Sequence, residues 1–182
     1  MNPQLYPLKN LVLVGFMGCG KSAISRRLGE KLNYPVLDTD DLIEQQEEKK
    51  ISSIFADQGE AYFRSLETRT LSAFMDGALR KHIVATGGGI VTSPVNLEML
   101  AKLGYVIWLD AKPETVIKRV AESSTRPLLQ TEDPAETIRR LSAERRPLYE
   151  QAANLRMETD GLSFDEIVTG IIESARYFYG SQ

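Results

Sequence analysis

The stretch Leu11-Val12-Leu13-Val14-Gly15-Phe16-Met17-Gly18-Cys19-Gly20-Lys21-Ser22 constrains the fold more than any other part of the chain. Four apolar residues in a row suit a strand covered on both faces. They run into Gly-x-x-x-x-Gly-Lys-Ser, after which residues 21–32 show helical periodicity. Strand, glycine loop and helix in that order make a phosphate cradle. Glycine lets the loop curl until its N–H groups converge on an anion, and the positive end of the helix dipole reinforces them. Lys21 is placed to reach the β- and γ-phosphates of a nucleotide, and the Ser22 hydroxyl to bind Mg²⁺.

The rest of the chain alternates strand-sized apolar runs (11–14, 35–37, 83–85, 105–109, 154–157) with helix-patterned segments (21–32, 41–48, 60–80, 94–103, 113–122, 134–151, 163–179). That alternation predicts an α/β domain with a parallel sheet, and 182 residues fit one domain, 1–182. A net charge of −3 argues against nucleic-acid or anionic-membrane partners. The longest apolar runs are too short to span a bilayer. Cys19 is the only cysteine, which excludes an internal disulfide and suits a reducing compartment, and the opening MNPQLYPLKN lacks the pattern of a secretory signal. A cytoplasmic location is expected. Segment 123–133, SSTRPLLQTED, mixes Ser, Thr and Pro with Arg126 between two helical segments. It is either a surface connection or a lid over a site.

Asp38-Thr39-Asp40 follows the second apolar run, where strand ends of a doubly wound sheet line the ligand crevice. On an extended segment Asp38 and Asp40 point the same way. One carboxylate could then hold Mg²⁺ through water while the other orients an acceptor hydroxyl. Alternatively, Asp40 or Asp41 caps the helix beginning near Leu42. Thr86-Gly87-Gly88-Gly89 follows the third run; three glycines suit a close approach by another molecule, or simply a tight turn. Arg64, Arg126 and Arg145 stand beside predicted loops or helix ends, where a guanidinium can grip a carboxylate or phosphate, or merely be solvated. Cys19, beside Lys21 at a helix start, is either a reactive thiolate or a small space-filler. His82 and Trp108 suit structural positions. The phosphate loop leaves two classes open, a phosphotransferase and a nucleotide switch or binding module. No Asn-Lys-x-Asp and no Asp-x-x-Gly pattern occurs, which favours a kinase over a GTPase switch.

Taken in order, GFMGCGKS, DTD, IFADQGEAYFRSLE, TGGG, RPLL and RRPLYE resemble the shikimate kinase family, from Gly15 to Glu150. The resemblance implies a three-layer P-loop kinase fold like that of nucleoside monophosphate kinases. It has a five-stranded parallel sheet, helices on both faces, a nucleotide-binding core (11–32), a substrate-binding region (about 38–80) and a lid (about 123–133). It implies ATP and Mg²⁺, shikimate as substrate, and a monomer. Asp40, Arg64, Arg145 and the backbone of Gly87, Gly88 and Gly89 would contact shikimate. Asp40 would hold the accepting hydroxyl, and Arg64 and Arg145 the carboxylate. Glu67, three residues after Arg64, could orient it. Gly18, Cys19, Gly20, Lys21, Ser22, Ala23, Arg119 and Arg126 would hold the nucleotide, Lys21 and Arg126 neutralising the group in transfer. Asp38 would serve Mg²⁺ through water beside Ser22. The stretch Glu158-Thr159-Asp160-Gly161-Leu162 departs from the basic, Pro-containing adenine loop of some members. Related kinases for gluconate or a nucleoside monophosphate, and a non-catalytic ATP-binding module, are the alternatives.

Overall fold

The structure is a computed structural model that describes residues 9–121, 131 and 133–180. Its strands are β1 Asn10–Val14, β2 Val36–Asp38, β3 Ile83–Ala85, β4 Gly104–Asp110 and β5 Leu155–Glu158. They form one parallel sheet in the order β2-β3-β1-β4-β5. The helices are α1 Lys21–Leu32, α2 Thr39–Glu47, α3 Ile51–Asp76, α4 Pro94–Leu103, α5 Pro113–Ala121, α6 Pro134–Ala152 and α7 Phe164–Gly180. This is the three-layer architecture expected.

Successive side chains of a strand point to opposite faces. Val12, Val14, Val84, Val106 and Trp108 join one buried cluster with Leu71 of α3, Leu100 of α4, Val116 of α5 and Ile138 and Tyr149 of α6. Leu11, Leu13, Ile83, Tyr105, Ile107 and Leu109 join a second with Ile24 and Leu28 of α1 and Ile167 and Ile171 of α7. Both sheet faces are therefore covered, which is why the central strands are nearly all apolar. Asn10 is the polar exception and is 1% exposed. Its Nδ2 donates to the Leu79 and Leu103 carbonyls, both at 2.8 Å, and its Oδ1 accepts the His82 N–H at 3.1 Å. These bonds tie the chain entering β3 and β4 to the start of β1.

The chain steps from β1 out to β2, returns to β3 beside β1, then crosses to β4 on the other side of β1. The reversal opens a crevice at the C-terminal ends of β1 and β3. The glycine loop, the DTD segment and the TGGG run all follow strands at that edge.

Two helix starts differ from expectation, and one of them bears on the site. Helix α2 begins at Thr39 rather than 41, so Asp38 and Asp40 do not share an extended segment. Asp38 is the cap: its backbone is extended and its carboxylate accepts the Asp40 N–H at 3.0 Å. Asp40 lies inside the first turn and is not the cap. Helix α3 begins at Ile51 rather than 60, and Gly59 (φ 78°, ψ 174°) breaks its run. Only glycine takes that backbone angle readily, and the break hid the preceding turns from a search for helical period. Residues 51–58 pack with α2 through a small cluster of Ile43, Ile54, Phe63 and Leu66.

Candidate active site

Loop 15–20 leaves β1 and turns into α1. The Lys21 Nζ donates to the carbonyls of Gly15 (2.6 Å) and Phe16 (2.9 Å), which holds the amine over the loop. Ser22 is exposed in the first turn of α1. From α5, Arg119 donates to the Gly18 carbonyl at 3.0 Å and braces the loop. Asp38 feels the Lys21 charge; burial pushes its carboxyl above the usual range, opposed by the Asp40 N–H.

The glycine run after β3 is tied down on several sides. Thr86 Oγ1 donates to the Leu13 carbonyl at 3.0 Å, and the Gly87 N–H donates to Thr39 Oγ1 at 3.0 Å. The Tyr149 hydroxyl donates to the Gly88 carbonyl at 2.5 Å. A methyl group on Gly87 would stand 2.6 Å from Asp40 Oδ1 and 2.7 Å from Glu67 Oε1. On Gly88 it would stand 3.2 Å from the Met17 nitrogen, and on Gly89 2.1 Å from Arg64 Nη1. The glycines thus clear space first for the chain's own charged side chains and for the phosphate loop.

Arg64 and Glu67 form the expected pair, with Nη1 to Oε2 at 2.7 Å. Glu60, one turn earlier, adds a second carboxylate: its Oε1 accepts from Arg64 Nη2 at 2.7 Å and Nε at 3.1 Å. Arg145 is 5% exposed, with its guanidinium 5.7 Å from the Phe16 ring centre and its charge felt by Glu67. Asp40, Arg64, Glu67, Arg145 and the glycine run therefore converge beside the phosphate loop. Arg126 lies outside the described residues, as do 123–130 and 132 of the expected lid. Trp108 is core, at 3% exposure, and His82 is half-buried with its Nδ1 2.6 Å from the Arg80 carbonyl oxygen.

Glu67 is fully buried, and its Oε1 has no hydrogen-bond partner among the described residues. Burial, only partly offset by Arg64 and worsened by Asp40, pushes its carboxyl up to about 7. Unfolded, a glutamate titrates near pH ~4.3. The folded state therefore holds a proton that the unfolded state has lost, and this residue's contribution to stability falls as pH rises from about 4.5 to about 7. Glu67→Gln should flatten that part of the stability curve by a few kcal/mol, read from urea unfolding at pH values across the window. Parallel curves for variant and parent would show that Glu67 does not titrate there.

The Cys19 side chain is 1% exposed. A thiolate needs access as well as a favourable field to react, so burial leaves the space-filling role. Iodoacetamide should modify the native protein slowly, at the same rate with or without ATP, and rapidly only after denaturation. Fast modification that ATP blocks would restore the reactive role.

Thr39, Glu60 and Tyr149 belong to this site and were not singled out from sequence. Thr39 lies between two acids, and only its bond from the Gly87 N–H, across 48 positions, shows its part in the site. Glu60 and Tyr149 each lie four residues from a site arginine, and that helical spacing is the signal that could have found them.

Fold and site together define a class, the P-loop phosphotransferases. Known proteins narrow it further. A family model described as "Shikimate kinase" matches residues 17–176. The shikimate kinase of Prochlorococcus marinus is 45% identical over 179 residues, covering 94% of this chain and 91% of that protein. That of Symbiobacterium thermophilum is 43% identical over 166 residues, covering 90% and 94%. The solved structure of the Acinetobacter baumannii shikimate kinase in complex with shikimate matches with a TM-score of 0.86 at 36% identity, covering 91% of this chain and 92% of that one. The chain belongs to the shikimate kinase family. Among the described residues no helix is long and apolar enough to cross a membrane.

Proposed function

We propose that this chain transfers the γ-phosphoryl group of ATP to a ring hydroxyl of shikimate, giving shikimate 3-phosphate. One observation carries this reading most directly: half-buried Arg64 and buried Arg145 gather with Asp40 around Glu67 and a glycine run packed against the phosphate loop. The substrate is an anion and the chain carries a net charge of −3, so capture needs a local cationic clamp. Arg64 and Arg145 supply it for the carboxylate, with the backbone of Gly87, Gly88 and Gly89 as the floor. Asp40 orients the accepting hydroxyl and takes its proton as the new P–O bond forms. Phosphoryl transfer passes through a loose transition state, so positioning and charge neutralisation do most of the work.

On the nucleotide side, the N–H groups of Gly18, Cys19, Gly20, Lys21, Ser22 and Ala23 cradle the phosphates. Lys21 exchanges its loop carbonyls for phosphate oxygens, Arg119 lies toward the base, and Arg126 of the lid neutralises the moving group. Among the described residues no cluster of three or more His, Cys, Asp or Glu could hold a metal. That fits Mg²⁺, which keeps several waters and takes most other ligands from substrate phosphates. The exposed Ser22 hydroxyl and the Asp38 carboxylate, the latter through water, are the groups that would hold it. When bound, Mg²⁺ would offset the negative charge of the phosphate groups. We place the reaction in the cytoplasm, with residues 1–182 forming one domain, in a monomer with no nucleic-acid or membrane partner. A coupled ADP-release assay with shikimate, gluconate and AMP tests this reading. Stimulation by shikimate alone is expected; stimulation by gluconate or AMP instead, or by none, would overturn it.

A further inference from the structure

Tyr149 lies one helical turn beyond Arg145 on α6, at four-residue spacing and so on the same face. It is 2% exposed. Its ring stacks on Trp108 of β4, with centres 5.8 Å apart and planes 20° apart, which fixes where the hydroxyl points. The hydroxyl donates to the Gly88 carbonyl, and the charge of the Arg145 guanidinium acts on it. Burial holds its pKa far above the usual tyrosine range, so it remains a donor at any working pH. Gly88 in turn sits against the backbone of the phosphate loop: a methyl group there would stand 3.2 Å from the Met17 nitrogen and 3.5 Å from the Gly15 oxygen. One hydroxyl thus bonds the glycine run that abuts the nucleotide loop and shares a helix face with the arginine of the carboxylate clamp, whose charge it feels.

We propose that Tyr149 is a positioning residue for phosphoryl transfer, its hydroxyl fixing the Arg145 guanidinium and the Gly88 carbonyl relative to each other and to the phosphate loop. This rests on the reading that Arg145 and the glycine run hold the acid substrate. The hydroxyl touches neither reactant. It acts by holding two groups that do, and misplacement by about 1 Å can cost on the order of a hundredfold in rate. Its loss should weaken use of the acid and leave capture of the nucleotide, which rests on loop N–H groups and Lys21, nearly unchanged.

Tyr149→Phe keeps the ring and its stack on Trp108 and removes only the hydroxyl. We expect kcat/KM for shikimate to fall roughly tenfold or more, with KM for ATP within about twofold of the parent. Introduced into an Arg145→Ala background, the same change should cost less than about twofold, because residues that act as one unit are not additive. A purely architectural role moves the unfolding midpoint but leaves the shikimate-against-ATP split and the non-additivity unmoved. Unchanged shikimate kinetics, an equal loss toward ATP, or a full loss on the Arg145→Ala background would each overturn the proposal. Titration of shikimate binding to each variant without nucleotide gives a second measure; binding at parental affinity by Tyr149→Phe would also overturn it. If the parent itself fails to turn over shikimate, the functional assignment fails, whereas a parent with normal turnover leaves only the role of Tyr149 in question.

Discussion

Asp40→Asn should fold normally and lose turnover by roughly 10²–10⁴-fold, the usual worth of a general base. The structure makes this variant cleaner than the sequence could. Asp38, not Asp40, caps α2, so the cap survives the change. What the helix loses is one negative charge in its first turn, worth about 0.3–1 kcal/mol. Asp40 Oδ1 lies next to Gly87, on the floor where the acid is proposed to sit. Asparagine keeps the size and can still accept a hydrogen bond there, but it cannot take a proton. The accepting hydroxyl has a very high pKa, and a loose transition state demands little deprotonation in advance. A loss at the small end of the range would therefore assign orientation as the main role, and one at the large end proton transfer. Unfolding in urea and steady-state turnover, measured on the same preparation, decide the matter. A stable variant with turnover within a few-fold of the parent would remove Asp40 from the chemistry.

Arg64→Ala should weaken shikimate binding by roughly 10–100-fold, since a hydrogen bond to a charged group is worth about 1.5–3 kcal/mol. ATP binding should be nearly normal. The variant also strips Glu67 of its ion-pair partner in a site with no exposure. A buried carboxylate without its partner is costly, and protonation relieves it. Glu67 already titrates near 7, so the proton is close at hand and will limit the loss of stability at neutral pH. Adding Glu67→Gln to Arg64→Ala removes the stranded charge. The double variant should recover stability relative to Arg64→Ala while still binding shikimate poorly. Recovery of binding along with stability would mean that Arg64 supports the fold and does not hold the acid. Isothermal titration with each ligand, beside unfolding curves, separates these results. Normal shikimate binding with poor ATP binding in Arg64→Ala would move the arginine to the nucleotide side.

The sequence by itself determined the architecture and the nucleotide chemistry, because both rest on local patterns. LVLV-GFMGCGKS carries its strand, loop and helix within one short stretch, and the five apolar runs became the five strands to within a residue or so at their ends. The Arg64–Glu67 pair was legible for the same reason: three residues on a helix share a face. Only the tertiary structure decided matters that depend on what lies across the crevice. Which aspartate caps α2 turned on where β2 stops, and a boundary of one or two residues is beyond periodicity. That Gly89 makes room for the Arg64 guanidinium, and Gly87 for Asp40 and Glu67, follows from packing between α2, α3 and the end of β3, segments far apart in the chain. Whether Cys19 is reactive turned on its burial, which the charges around it in sequence could not report. Tyr149 shows the division most clearly. The four-residue step from Arg145 is written in the sequence, but its bond to the carbonyl of Gly88 spans 61 positions and exists only once α6 has packed against the sheet.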